Sequence, residues 1–289
     1  MTRPTPPVGV VMITMDRRPE VLSTLRRLAA LEPGPPVVLV DNGSRDGTVE
    51  AVERDHPAVT CIRLERNVGA AARNVGVAVH KSPLIAFCDD DSWWHADALE
   101  AAAAAFDRHP RIALIGGRVL VGPDETLDPI SRAMAQSPIG TRPGYPGPLV
   151  LGFIACGAVV RRTAFLQAGG FRPDYGVGGE EAVLALDLAA RGWDLVYHPG
   201  VVAHHHPSPQ RNQRERERRE VRNDLWTTWL RLPLSAATRA AWRAMRVAPH
   251  DASARAGLRA AVASTLEVLA DRQVVPPGIA AMAATLERG

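Results

Sequence analysis

The sequence predicts an α/β protein in which a mostly parallel sheet is flanked by helices and followed by a smaller helical segment. Short apolar runs alternate with amphipathic runs through residues 1–115, as expected for parallel strands that are covered on both faces. Several of the apolar runs end in polar residues, which can form a site at one edge of the sheet. From Pro233 onward the chain is rich in alanine and arginine. We therefore divide it into an α/β domain, residues 1–232, and a helical appendage, residues 233–289.

The elements of the first part follow one another in strand–helix order. Apolar runs predict the strands and amphipathic runs predict the helices, while the Asn-Gly and Asp-Gly pairs after Asp41 indicate a tight turn. In chain order we predict a strand at 9–14, a helix at 19–31, a strand at 36–41, a helix at 48–56, a short strand at 60–64, a helix at 69–80 and a strand at 84–89.

The later elements are predicted less completely. A helix begins at Glu180 behind the glycine-rich run YGVGG, and the run GVVA before three histidines indicates a strand. The appendage shows helical periodicity at 235–246, 251–272 and 277–288. Its apolar residues are mostly alanine, which is too small to anchor well in a membrane surface. We expect these helices to pack on the main domain or to mediate a homodimer.

Composition limits the class of protein. The 289 residues are 46% apolar and 22% charged, which is typical of a globular chain. No apolar run is long enough to span a membrane, and the N-terminus lacks a secretory signal, so we expect a cytoplasmic location. The three cysteines are scattered, which favours reduced thiols. The arginine-rich segment at 211–222 contains interleaved glutamates and indicates a solvated helix rather than a nucleic-acid site.

The segment LIAFCDDDSWW, residues 84–94, contains the strongest chemical signal. An apolar strand ends in three adjacent carboxylates, Asp89, Asp90 and Asp91. They repel one another, and a hard cation such as Mg²⁺ or Mn²⁺ would neutralise them while leaving positions open for phosphate oxygens. The alternative is that they cap the strand and the following helix and are otherwise solvated.

Two further strand ends are polar. Thr14 and Asp41 end the first two predicted strands, so they are expected beside Asp89 at the carboxyl edge of the sheet. Asp41 can accept from a nucleobase imide or a ribose hydroxyl, and Arg17 can donate to a base carbonyl or a phosphate. An exposed arginine that leads a helix is the alternative for Arg17.

Seven runs together resemble family 2 glycosyltransferases, which have the nucleotide-diphospho-sugar-binding GT-A fold. Four occur in the first half: VMITMDRRPEVLSTLRRL, VLVDNGSRDGTVE, RNVGAAARNVGV and FCDDDSWWHADAL. QAGGFRPDYGVGGEEAVLALDLAARGW and YHPGVVAHHHPS continue the resemblance, and REVRNDLWTTWLRLP is similar to the rhamnosyltransferase-like branch. The resemblance covers about residues 8–233. It implies a nucleotide-binding half, residues 1–115, and an acceptor-binding half, residues 116–232.

The resemblance also implies roles for individual residues. Asp91 and Asp89 match metal-binding positions, and one histidine of the late strand often joins them. Because alternate residues of a strand share a face, we expect His204, with His206 next, to be that ligand. The donor-binding positions implied are Thr14, Arg17, Asp41, Asn67, Arg73, Asp89, Asp90, Arg219 and Arg222.

The catalytic base is expected at Glu180 and Glu181. The resemblance places Glu181 at the position of a catalytic aspartate, and a carboxylate there can take the proton of an acceptor hydroxyl. The alternative is the ordinary preference of acidic residues for a helix N-terminus. Trp93 and Trp94, beside the acidic triplet, are expected either to line the acceptor pocket or to pack in the core.

The resulting hypothesis is a metal-dependent inverting glycosyltransferase with Mn²⁺ or Mg²⁺ as cofactor. The resemblance implies a UDP- or TDP-sugar donor and a small-molecule, carrier-bound or glycan acceptor that reacts through a hydroxyl or another nucleophile. A catalytically inactive nucleotide-sugar-binding protein is the alternative. No nucleic-acid partner is expected.

Overall fold

A computed structural model of the chain describes residues 7–208 and 213–287. Residues 1–6 of the predicted α/β domain and residues 288–289 of the predicted appendage lie outside this part of the chain. So do the start of the arginine-rich segment at 211–212 and the last residue of the predicted helix 277–288.

The first half has the predicted strand–helix order. Val8–Thr14 (β1), Val37–Asp41 (β2), Thr60–Arg63 (β3) and Leu84–Asp89 (β4) are strands, and Arg18–Ala29 (α1), Thr48–Asp55 (α2) and Ala72–Val79 (α3) are helices. The predicted helix at 69–80 begins instead as a short 3₁₀ helix, Gly69–Ala71. Gly69 has a φ of +62°, a left-handed conformation with which a regular α-helix does not begin.

Five more strands follow along the chain. They are Ser92–Trp94 (β5), Ile112–Val121 (β6), Thr126–Leu127 (β7), Ala158–Arg161 (β8) and Asp194–His205 (β9). The helices between and after them are Ala98–Arg108 (α4), Pro129–Ala135 (α5), Arg162–Ala168 (α6), Glu180–Ala190 (α7) and Gln213–Arg231 (α8).

The appendage consists of four helices in the described residues: Leu234–Val247 (α9), Ala252–Ala263 (α10), Thr265–Ala270 (α11) and Pro277–Leu286 (α12). The single helix expected at 251–272 is therefore wrong. Ser264 leaves helical geometry with a φ of −110° and separates α10 from α11.

One mixed sheet of nine strands contains all the strands of the described residues. Its order is β3-β2-β1-β4-β8-β6-β9-β5, with β7 paired to β6. The strands β3, β2, β1 and β4 are parallel, whereas β8 runs antiparallel to both β4 and β6. Thr14 pairs with Asp41, and Ile13 pairs with Asp89. The three polar strand ends therefore lie side by side at one edge.

Apolar residues cover both faces of this sheet. Val10 and Met12 of β1 pack on one face with α1 and α4, whereas Val11 packs on the other face with α3, α6 and α7. A third, smaller core joins Tyr175 and Val183 to α8 and to residues of α9, α10 and α11. The cysteines are free thiols. Among the described residues, none of the helices combines the length and apolar character needed to cross a lipid bilayer.

Candidate active site

A cleft of about 560 Å³ opens at the edge where the parallel strands end. Residues from the ends of β1 and β4, the loop before α3, the start of α7 and the start of α8 line it. Nine of the sequence-predicted site residues are among them: Thr14, Arg17, Asn67, Arg73, Asp89, Asp90, Glu180, Glu181 and Arg219.

Asp90 is held by its neighbours at the floor of the cleft. Its carboxylate accepts hydrogen bonds from Thr14 Oγ1 at 2.8 Å and from Arg17 Nη1 at 3.0 Å. Thr24 donates to its main-chain oxygen at 2.6 Å. Burial raises the pKa of Asp90 to about 7, although the charge of Arg17 opposes this shift. Asp90 therefore organises this edge through Thr14 and Arg17.

Asp91 lies behind Asp90, and 3% of its side chain is exposed. It accepts from Arg17 Nη1 and from the backbone N–H of Ser208, both at 3.1 Å. Its Oδ1 lies 3.4 Å from Nε2 of His205. Asp91 therefore links the end of β4 to the end of β9.

Asp89 is the most open of the three acids, with 25% of its side chain exposed. Arg73 Nη2 donates to it at 2.5 Å. Arg73 itself is buried, and its Nη1 lies 3.8 Å from Oε1 of Glu180. In the described residues, Nε and Nη1 of Arg73 have no hydrogen-bond partner. Burial disfavours the arginine charge, but Asp89, Glu180 and Glu181 together raise its pKa.

Glu180 and Glu181 begin α7 after Gly179, whose φ of +81° turns the chain into the helix. Glu180 accepts from the backbone N–H of Gly178 at 2.5 Å, and Glu181 accepts from that of Ala155 at 3.3 Å. Burial raises the pKa of both, and the neighbouring charge of Glu180 adds to the shift at Glu181, whose pKa is about 8. Burial therefore favours the protonated form of each glutamate.

His205 is the histidine that lines the cleft, although the sequence interpretation favoured its two neighbours. Ligand atoms of Asp89, Cys156 and His205 all lie within 4.8 Å of one another. Burial raises the pKa of the Cys156 thiol well above its usual value, so a thiolate is disfavoured there. The carboxylate of Asp89 and the imidazole of His205 are donors that suit Mn²⁺ or Mg²⁺. Asp91 does not belong to this group of three and does not line the cleft, although it lies next to His205.

His204 and His206 share a face of β9 as predicted, but this face points away from the cleft. His204 Nδ1 lies 2.7 Å from Glu125, and its Nε2 lies 3.3 Å from His95 Nδ1. His206 Nε2 is 4.0 Å from Glu125. The alternation of β9 brings His205 to the cleft, whereas the side chains of His204 and His206 do not line it. His206 contacts the acidic triplet through its backbone N–H, which donates to the main-chain oxygen of Asp91 at 2.9 Å.

The two tryptophans beside the acidic triplet also lie outside the cleft lining. Trp93 stacks on His204 with ring centroids 5.3 Å apart, and the guanidinium of Arg27 lies 3.7 Å from the centroid of Trp93. Trp94 is 2% exposed and packs in the core with α4.

Asp41 and Arg222 are nearby but do not line the cleft. Asp41 is fully buried and accepts from both the backbone N–H and the hydroxyl of Ser44. Arg222 donates to the carbonyl oxygens of Asp174 and Tyr175 at 3.0 and 2.8 Å. Arg222 therefore supports the loop before α7 from behind.

Several lining residues were missed by sequence reasoning, among them Asn42, Cys156, His205, Glu215 and Arg216. Arg216 belongs to the arginine-rich segment that we interpreted as solvated. The alternation of charges in that segment gave no sign that its first turns close over an acidic site. His205 carried a signal, since it lay within the histidine run.

A contact between two loops closes one side of the cleft. The N–H of Ala70 donates to the carbonyl of Gly176 at 3.1 Å. A Cβ added at Gly69 would lie 2.7 Å from the Cα of Gly176. Asn67 shapes the same loop by accepting from the N–H of Gly69 at 2.7 Å. The loop before α3 and the loop before α7 thus touch directly, and only glycine fits at this point.

Comparisons with known proteins show what this chain is similar to. A family profile described as Glycosyl transferase family 2 matches residues 9–168. The chain is 26% identical over 236 residues to the N-acetylglucosaminyl-diphospho-decaprenol L-rhamnosyltransferase of Mycobacterium tuberculosis, covering 68% of this chain and 75% of that protein. It is 31% identical over 202 residues to the pre-mycofactocin glycosyltransferase of the same organism, covering 66% of this chain and 42% of that protein.

Two solved structures have a similar fold. One is a mannosyltransferase from Pyrobaculum calidifontis in complex with GDP-Man and Mn²⁺, with a TM-score of 0.58 and 20% identity over 98% of this chain and 85% of that one. The other is GalNAc-T7 with UDP, GalNAc and Mn²⁺, with a TM-score of 0.61 and 16% identity over 87% of this chain and 53% of that one.

Proposed function

The chain belongs to glycosyl transferase family 2 and is a glycosyltransferase of the GT-A fold, and from this premise we propose a metal-dependent inverting reaction. The sugar passes from a UDP- or TDP-sugar to an acceptor nucleophile, most simply a hydroxyl. The observation that carries the proposal is the chain of contacts Asp89–Arg73–Glu180 in one cleft. This chain connects Asp89, which we assign to the metal on the donor side, with the glutamates that can remove a proton from the acceptor.

The residues of the cleft fit a hard divalent cation. We assign Asp89 and His205 of the cleft, together with Asp91 behind the lining, as its ligands, with Mn²⁺ or Mg²⁺ as the ion. When bound, the cation neutralises the charge that develops on the departing nucleoside diphosphate. The two structural neighbours that were solved with Mn²⁺ support this assignment. Arg216 and Arg219, at the rim of the cleft, hold the diphosphate oxygens.

Glu181 acts as the base in this proposal. It takes the proton of the acceptor hydroxyl while the acceptor oxygen forms the new bond to the anomeric carbon. The old bond from that carbon to the phosphate oxygen breaks, and its electron pair leaves with the nucleoside diphosphate. Since attack and departure are on opposite faces, the configuration inverts. The raised pKa of Glu181 suits a base that works near neutral pH.

We also propose a separate role for each of three segments of the chain. Residues 1–115 bind the nucleotide, residues 116–232 bind the acceptor, and residues 233–289 form the helical appendage. The resemblance supports uracil or thymine as the donor base. The decaprenol-linked substrate named for the mycobacterial rhamnosyltransferase supports a carrier-bound acceptor over a free small molecule.

Thermal unfolding with nucleotides tests the proposal. We expect UDP or TDP to raise the melting temperature only when Mn²⁺ or Mg²⁺ is present. Release of UDP or TDP from a matching sugar donor then distinguishes a transferase from an inactive binding protein. Equal stabilisation with and without metal would contradict the metal assignment, and stabilisation without any turnover would support the inactive alternative.

A further inference from the structure

The appendage distributes its apolar residues in the reverse of the usual way. In α9 and α10 the buried positions are occupied by small residues, which are Ala236, Ala237 and Ala240 of α9 and Ala254, Gly257 and Ala261 of α10. Small residues let these helices approach α8 closely. A Cβ at Gly257 would lie 2.6 Å from the carbonyl oxygen of Arg218. In α9 and α10 small residues therefore do the packing, whereas most of the larger apolar residues of the appendage do not take part in it.

Those larger residues face solvent. Of the fourteen large apolar residues that are exposed in the described residues, nine lie between Leu234 and Leu286. On α9 to α11 the exposed fractions are 70% for Leu234, 56% for Trp242, 53% for Met245, 50% for Val247, 58% for Val262, 87% for Leu266 and 39% for Leu269. A concentration of this kind in a fifth of the chain marks an interaction surface.

The same surface is basic. From residue 234 to residue 270 the chain has five arginines and two acids, Asp251 and Glu267. Asp251 caps α10 by accepting from the N–H of Ala254. The guanidinium of Arg246 lies 4.6 Å from the ring centroid of Trp242. Along α10 and into α11, exposed Arg255, Arg259, Val262 and Leu266 follow one another at helical spacing. Arg239 and Arg243 pair with Glu287, which reduces the positive charge without reversing it.

We propose that the outer face of α9, α10 and α11 docks on the surface of an anionic lipid bilayer. Trp242, Met245 and Leu266 enter the headgroup region, while Arg246 and Arg259 contact lipid phosphates. The occupant is identified by charge complementarity: a basic face with protruding apolar side chains fits an anionic, amphipathic surface. Two copies of this chain meeting through the same face would place arginines opposite arginines.

The position of this face relative to the cleft suggests how membrane docking would serve the transfer reaction. This part of the inference rests on the proposed function. Gly257 of α10 packs on Arg218 and Val221 of α8. Arg216 and Arg219, on the same stretch of α8, line the cleft. A bilayer bound at α10 would therefore lie near the cleft, to which a lipid-carried acceptor would present its hydroxyl.

Vesicle flotation with the full chain tests the docking without any sugar donor. We expect at least about tenfold stronger binding to phosphatidylcholine vesicles with 30% phosphatidylglycerol than to pure phosphatidylcholine. The variant Trp242→Ser/Met245→Ser/Leu266→Ser and the variant Arg246→Glu/Arg259→Glu should each lose about tenfold. Val79→Ser/Ile130→Ser/Leu166→Ser, which changes exposed apolar residues elsewhere, and Arg26→Glu/Arg54→Glu are the matched controls and should bind as the unaltered chain does.

The failure of this inference is separable from the failure of the proposed function. Metal-dependent stabilisation by UDP or TDP should be the same in all four variants, since none of the changed residues lines the cleft. Equal binding to neutral and anionic vesicles, or equal loss in the controls, would overturn the docking surface. Sedimentation of a dimer that the appendage variants abolish would assign the face to a second copy of the chain instead.

Discussion

Glu181 is the residue on which the chemistry depends most directly. Glu181→Gln keeps the size and the hydrogen bond to Ala155 but removes the ability to take a proton. We expect the affinity for UDP with Mn²⁺ to be unchanged and the transfer rate to fall by about 10²- to 10⁴-fold. Glu180→Gln is the comparison, because Glu180 is held by Gly178 and Arg73. A larger loss of transfer in Glu180→Gln than in Glu181→Gln would move the role of base to Glu180.

The pH dependence of the reaction follows from the same side chain. Burial and the charge of Glu180 raise the pKa of Glu181 to about 8, and only the deprotonated form can accept a proton. We therefore expect kcat/KM to rise as pH increases toward about 8 and to level off above it. The residual activity of Glu181→Gln should lack this rising limb. A wild-type profile that is flat between pH 6 and 9 would contradict Glu181 as the base.

His205 separates the metal site from the rest of the histidine run. We expect His205→Ala and Asp89→Ala each to weaken Mn²⁺-dependent UDP binding by at least about tenfold, because each removes a ligand. His204→Ala and His206→Ala are matched controls on the opposite face of β9 and should retain binding within about twofold. Calorimetric titration of UDP with and without Mn²⁺ measures the effect. Loss of binding in the controls with retention in His205→Ala would reverse the assignment.

The histidines also mark where sequence reasoning reached its limit at this scale. The spacing of a strand showed that His204 and His206 share a face, and the structure agrees. Which face meets the cleft depends on the pairing of β9 with β5 and β6, partners that are far away in the chain. Trp93 follows the same rule, because it pairs with His204 across β5 and β9 and so faces away from the cleft with it.

At the scale of elements, the loop that precedes α3 is the part of the cleft where we expect a small substitution to have a large effect. Gly69→Ala adds a Cβ at a positive φ and against the backbone of Gly176, whereas Gly122→Ala adds one at a φ of +72° in open space. The control should lose about 1–2 kcal/mol of stability from the backbone conformation alone. Gly69→Ala should lose about 1–3 kcal/mol more through the close contact, and its affinity for UDP should fall. Urea unfolding and nucleotide titration measure the two effects. Equal costs in both variants would show that the loops do not touch.

The elements themselves were predicted well where their signals are local. The strands β1 to β4 and the helices between them follow from apolar runs and helical periodicity, each confined to a few residues. β8 carries a short apolar run of the same kind, but its place between β4 and β6 joins segments distant in sequence. The split at Ser264 was missed because the periodicity continues across it while the backbone does not. Fold class was therefore accessible from the sequence, whereas the mixed half of the sheet was not.

For the molecule as a whole, the small core around α8 determines whether the appendage folds independently of the α/β domain. Tyr175 and Val183 come from the segment that holds the glutamate pair, and they pack with Trp226 of α8 and with Ala240 and Ala261 of the appendage. Trp226 also donates to the carbonyl of Ala261 at 3.3 Å and lies edge-on to Tyr175, with centroids 5.8 Å apart. The appendage and the loop before α7 therefore share one core.

The consequence is that a change in this core should reach both the appendage and the cleft. We expect Trp226→Ala to lower the free energy of unfolding by about 3–5 kcal/mol, the usual cost of removing a buried tryptophan. Trp242→Ala, at an exposed position, should stay within about 0.5 kcal/mol of the unaltered chain. Urea unfolding followed by far-ultraviolet circular dichroism and by loss of Mn²⁺-dependent UDP binding should give one coincident transition in each protein. If the dichroism of Trp226→Ala instead falls in two steps, with UDP binding lost only in the second, then the appendage unfolds by itself and the cleft does not depend on it.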